Sequence, residues 1–168
     1  MITTFITISP HLAEYANAVF AVPNEKYIRV PSTHHLYHVI ANNMIKPPKN
    51  CFPATSGNLE IALPVQSGGK CPMIHNYISE RATEIIEQLI SSLFWAHLHE
   101  FVDEYRHRVK REDTTSVFYI KDCVYMFMQK YKITAITEGA LVKNYYRWTS
   151  SNRRQLKKRG YSSTKKER

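Results

Sequence analysis

Two rhythms of apolar and polar positions run along this chain. Residues 2–8, ITTFITI, are β-branched and aromatic and predict a strand. Ser9 then stands as an N-cap before Pro10 at the first helical position. A short helix over 10–20 follows, with Leu12, Tyr15, Ala16 and Val19 on one side. YIRV, 27–30, predicts a second short strand that ends at Pro31. Ser32 or Thr33 can cap a helix over 33–44. The run 46–58 carries three prolines and must be loop. LEIALPV, 59–65, predicts a last strand, with Pro64 pointing to an edge position. QSGGK, 66–70, reads as a connector.

Beyond residue 70 the pattern becomes helical. Ser79 caps a segment whose apolar positions Ile85, Leu89, Leu93 and Ala96, then Leu98, Phe101, Val102 and Tyr105, recur every three or four residues. The pair Ser91-Ser92 is a candidate break. Glu112 to Thr115 offers the next cap, for a helix over 115–131 with Val117, Ile120, Val124, Phe127, Met128 and Tyr131 on one face. ITAI, 133–136, reads as a turn. Thr137 caps the last helix, 138–158.

That last helix is the most informative element. At 100° per residue, Leu141, Tyr145, Trp148 and Leu156 fall within an arc of about 80°. Lys143, Arg147, Arg154 and Lys158 fall on the opposite side, with Ser150 and Ser151, and Arg153 and Lys157 widen it. One face is expected to dock on the 115–131 helix. A helix, a short turn and a basic helix is the outline of a helix-turn-helix. The competing reading is a solvated amphipathic helix with a basic tail. Tyr145 and Tyr146 add a third option if they face outward, because exposed tyrosines stack on unpaired bases.

The charge sharpens this picture. Of the net +9, residues 1–100 contribute 6 Lys/Arg against 7 Glu, whereas residues 101–168 hold 17 Lys/Arg against 7 Asp/Glu. A near-neutral body joined to a basic end suits a polyanionic partner. Cations on a docked helix neutralise phosphates and release counterions. Arg147, Ser151 and Arg154 are candidates for reading base edges. Lipid binding fits poorly, because the apolar side is narrow for a helix lying on a membrane.

Apolar content of 43% predicts a globular protein. No run approaches the length of a membrane span, and the first residues lack the basic region of a signal peptide. Cys51, Cys71 and Cys123 match no zinc pattern and are odd in number, so a reducing, cytoplasmic setting is expected. His34 and His38 stand at i and i+4, a spacing that can hold zinc, but His35 occupies the position of the metalloprotease glutamate. Surface or packing histidines are the better reading. His97 and His99 are expected on different helix faces. YRHRVKR, 105–111, reads as a cation-rich helix end favoured by the dipole. There is no Walker loop, nucleophile elbow, dinucleotide fingerprint or paired-carboxylate pattern. The expectation is a protein that is not an enzyme and takes no cofactor.

Several blocks together resemble a family of small proteins from Bacteroidetes mobile elements and prophages. Tyr77, Ile78, Ser79, Arg81 and Ala82 match its opening motif, Leu98 and His99 its middle helix, and Tyr125 and Met126 its third part. Lys143, Tyr145 or Tyr146, and Arg147 match its last helix. Phe94-Trp95 stands where the family carries an aspartate–tryptophan pair. The resemblance covers roughly residues 70–158. It implies a short N-terminal α/β part, a helical C-terminal part and DNA binding, with no catalytic residues.

The expectation is therefore an α+β protein. Residues 1–70 form a small α/β part, 71–158 a helical part with a helix-turn-helix over 115–158, and 159–168 a disordered basic tail. Double-stranded DNA is the expected partner, bound through Lys143, Arg147, Ser151, Arg153, Arg154, Lys157 and Lys158. A homodimer on two half-sites suits such a binder. The alternative is a protein-interaction or assembly module whose basic tail is incidental.

Overall fold

The computed structural model describes residues 1–65, 69–111 and 119–164, with the backbone alone described at 107–111, 153 and 155–164. Among the described residues the fold is α+β: a two-stranded antiparallel sheet and five helices. In chain order these are β1 (Thr3–Ile6), α1 (Pro10–Val19), α2 (His35–Asn43), β2 (Leu59–Ala62), α3 (Glu80–Arg111), α4 (Ile120–Tyr131) and α5 (Glu138–Thr164). No helix among the described residues is long and apolar enough to cross a membrane.

β1 pairs with β2 from Thr3 opposite Ala62 to Ile6 opposite Leu59. The strand expected at 27–30 shrinks to one residue. Ile28 donates to Glu60 O (2.9 Å) and accepts from Ala62 N (2.9 Å), and it bridges Ala21 on its other side. Prolines at 23 and 31 leave little room for a longer strand. Gly57 passes so close to β1 that an added Cβ would lie 2.5 Å from Ile6 O. The next residue, Asn58, accepts from Ile8 N (3.0 Å) and donates to Ile8 O (2.6 Å). One amide side chain thus satisfies both backbone groups where the strand ends.

The helix caps differ in kind. Ser79 Oγ accepts from Ala82 N (3.2 Å), the expected cap of α3. Ser9 stands at the N-cap of α1, but its hydroxyl donates instead to Glu87 of α3 (2.6 Å), which also accepts from Ser9 N (2.9 Å). α2 is capped by His34, whose Nδ1 accepts from Leu36 N (3.1 Å), and not by Ser32 or Thr33. The expected cap at 112–115 and Val117 lie outside the described residues.

α3 is continuous. Ser91-Ser92 does not break it, because Ser92 Oγ donates back to Gln88 O (2.9 Å) and stays within the helix. Its inner stripe is Ala82, Ile86, Ile90, Phe94 and Leu98, all buried. The expected stripe Ile85, Leu89, Leu93, Ala96 is one residue out of phase, and Ile85 is exposed. The apolar pairs Ile85-Ile86, Leu89-Ile90 and Leu93-Phe94 fit either phase, and only packing selects one.

The chain forms two compact units, Met1–His97 with Gln129–Ala135, and Leu98–Met128 with Ile136–Arg168. The division does not fall at the 66–70 connector, because α3 begins in the first unit and ends in the second. In the first unit, Tyr15 of α1 packs edge-on against Phe94 (5.3 Å between centroids) and Tyr131 (5.6 Å). Glu14 accepts from Thr134 N (2.8 Å) and Ala135 N (3.0 Å), and from Thr134 Oγ1 (2.5 Å). These bonds hold its carboxyl below the usual range, although burial acts in the opposite direction. In the second unit, Phe101 meets Phe127 at 5.4 Å, with Val102, Cys123, Val124, Leu141 and Tyr145 buried around them.

Candidate nucleic-acid interface

Lys132 takes a left-handed conformation (φ 51°) that reverses the chain after α4. Six residues, 132–137, then separate the two helices. That is longer than the turn of about 3–4 residues in a helix-turn-helix. Thr137 Oγ1 accepts from Ala140 N (3.3 Å) and starts α5 as the sequence predicts. α5 runs to Thr164, past the expected end at 158, so the tail expected to be disordered is helical over 159–164. The segment holds no proline, and Gly160 costs only about 1 kcal/mol relative to alanine in a helix. Residues 165–168 lie outside the described residues.

The inner face of α5 is held by polar bonds. Leu141 and Tyr145 are fully buried. The Tyr145 hydroxyl donates to Asp103 Oδ1 and accepts from Arg106 Nη1 (3.2 Å). One turn away, His99 Nε2 donates to Asn144 Oδ1 (3.0 Å). The His99 ring stacks on Trp148, with centroids 4.3 Å apart and planes 17° from parallel. These contacts run to α3. The sequence points to α4 as the helix this face docks on; Tyr145, Asn144 and Trp148 find bonding and stacking partners on α3. Trp148 is only half-buried, so its loss falls below the ~3–5 kcal/mol of a fully buried aromatic.

Burial shapes the ionisation of this lock. It pushes the Tyr145 hydroxyl up, helped by the bond to Asp103 and opposed by Arg106. It pushes His99 down, opposed by Asn144 and the charge of Asp103. The Arg106 pKa rises further through its bond to Tyr145. Cys123 is also pushed up by burial and is a packing thiol, not a reactive one.

The outer face carries the predicted cations. Lys143, Arg147, Ser150, Ser151 and Arg154 are exposed. With Gly139, Val142 and Tyr146 they line one shallow surface groove of about 700 Å³. Arg153, Lys157 and Lys158 belong to the same helix, but their side chains lie outside the described residues. Those of 107–111 in the YRHRVKR run do so as well. The two tyrosines separate: Tyr145 is buried, and Tyr146 is 55% exposed on the basic side. Glu138 at the start of α5, half-buried, meets the exposed Lys121 at 3.8 Å, a long pair that contributes little.

Sequence reasoning found the two faces of α5 but not the lock beneath them. Asp103 and Arg106 are spaced i, i+3 on α3, which was a usable signal. The pairing of His99 with Asn144 spans 45 positions and left none. His34 caps α2 and packs edge-on against Phe20 at 5.1 Å, while His38 lies against Tyr37 at 5.5 Å. No group of three or more potential metal ligands occurs among the described residues. Comparison of the chain with protein-family models, curated proteins and solved structures found no match.

Proposed function

We propose that this protein binds double-stranded DNA through the exposed face of α5, as a non-enzymatic component of a mobile genetic element. The observation that supports this is the separation of the two faces. Lys143, Arg147 and Arg154 are exposed, whereas Tyr145 and Asn144 are bonded to α3. After Glu138 no acidic residue occurs in α5. A helix held in place presents its cations as a fixed row, and each phosphate they neutralise releases counterions. Arg147, Ser151 and Arg154 reach toward base edges, and Lys143 toward the backbone. Arg153, Lys157 and Lys158 extend the same charge along the helix. The mobile-element setting rests on the family resemblance, and two copies on adjacent half-sites are the arrangement such a binder would use.

The test is fluorescence anisotropy of a labelled random-sequence duplex at two salt concentrations. Deleting α5 would be a poor control, because it strips Leu141 and Tyr145 from the core. An Arg147→Ala/Arg154→Ala double variant is cleaner, since both side chains are exposed. It is expected to weaken binding and to reduce the salt slope by about 1 for each phosphate that is no longer neutralised. Unchanged affinity in the double variant overturns the contact assignment. No binding of the wild type to this duplex at low salt overturns double-stranded DNA as the partner.

A further inference from the structure

Tyr146 is the one aromatic side chain in the groove on the outer face of α5 among the described residues. It is 55% exposed, while its neighbour Tyr145 is fully buried. Lys143, Arg147 and Ser150 stand at i−3, i+1 and i+4 from it, so the ring lies among cations and a small residue. Ser150, one turn on, carries only a short hydroxymethyl group, too small to cover the ring. Gly139, two turns earlier, would meet nothing within 4 Å even with a Cβ added. The surface at that end of the groove is therefore open. Paired bases, stacked inside a duplex, offer the ring no free face.

We infer that α5 favours DNA carrying unpaired bases, with Tyr146 as the platform on which one base stacks while Lys143 and Arg147 hold the flanking phosphates. The two cations are about 6 Å apart along the helix axis, on either side of the ring. This arrangement of an aromatic within a basic track is the physical basis of single-strand binding, because every base has a π-face. The inference rests on the proposed DNA contact of α5 and adds the form of DNA preferred.

The experiment uses the full chain and four labelled probes of one sequence: a paired duplex, the same duplex with a short unpaired gap, a single DNA strand and a single RNA strand. Wild type is expected to bind the gapped and single-stranded DNA more tightly than the paired duplex. Tyr146→Ala is expected to lose at least about fivefold on those two probes and less than twofold on the duplex. Tyr146→Phe, which keeps the ring, is expected to restore the preference. Arg147→Ala is expected to weaken every DNA probe. Melting curves of the Tyr146 variants should match wild type, since the side chain is exposed. If Tyr146→Ala leaves the gapped and single-stranded affinities unchanged while Arg147→Ala lowers them, DNA contact by α5 stands and the stacking inference falls. If no DNA probe binds, both fall. RNA bound more tightly than every DNA probe overturns the choice of DNA.

Discussion

His97 and His99 are two residues apart on α3, yet they serve different cores. His97 stands between two hydroxyls of the first unit, Tyr15 at Nδ1 (3.0 Å) and Tyr131 at Nε2 (3.0 Å). Each hydroxyl can donate to or accept from a ring nitrogen, so the imidazole bridges both tyrosines. His99 belongs to the second unit, where its Nε2 bonds Asn144 and its ring stacks on Trp148. A two-residue step turns a helix by about 200°, which is how one helix supplies both hubs. The environments differ as well. Tyr15 is pushed up to about 12 by burial first and by Tyr131 second, so it remains a neutral hydroxyl across the ordinary pH range. The second hub places a carboxylate and a guanidinium beside its tyrosine. The first is an aromatic cluster, the second a carboxylate and guanidinium lock beneath a basic helix.

Removing the tyrosine at each hub should have the largest effect. Tyr145→Ala is expected to cost ~3–5 kcal/mol, read as a lower urea midpoint, because it opens a cavity and strips Asp103 and Arg106 of their partner. Tyr15→Ala should fall in the same range. If Tyr145→Ala unfolds at the wild-type midpoint, the lock holds nothing.

The histidines themselves should differ by less. His97→Ala leaves two buried hydroxyls without it and should cost about 2–3 kcal/mol. His99→Ala leaves the half-buried Asn144 amide, which can turn to water, and should cost about 1–2 kcal/mol. The reverse order would mean that the stack on Trp148 matters more than the two tyrosine bonds.

The pH response sharpens the contrast at a smaller scale. Burial lowers the His99 pKa below its ordinary 6.5, so on acidification the unfolded chain takes up the proton first. The stability tied to the neutral ring is complete above 6.5 and is lost as pH falls from there toward the lower folded value. Melting temperature should therefore drop over that interval, and His99→Gln should flatten the drop. The flattening should be partial, because burial lowers His11 in the same direction, against Glu14 and Glu87. An identical slope in the variant would remove His99 as a contributor.

The smallest change should come from Lys121→Ala. Its pair with the half-buried Glu138 is 3.8 Å long and Lys121 itself is exposed, so at most about 0.5 kcal/mol should be lost. A larger loss would show that this pair, and not Thr137, sets the start of α5.

The sequence alone determined where each helix lies, though not the continuity of α3 or the end of α5, and it determined both strands of the sheet, the caps at Ser79 and Thr137, and the two faces of α5. These features are local: period, capping chemistry and charge segregation are written within a few turns of chain. Tertiary structure decided the rest. It chose the phase of α3, because adjacent apolar pairs satisfy two stripes equally. It reduced 27–30 to the bridge at Ile28, since a strand exists only where a partner offers its backbone groups. It gave α5 bonding partners on α3, and it buried Tyr145 while exposing Tyr146. Each of these depends on residues distant in the chain meeting, as Ile28 meets Glu60, Asp103 meets Tyr145 and His99 meets Asn144. Periodicity along one helix carries the spacing of its apolar face but not the identity of what covers it.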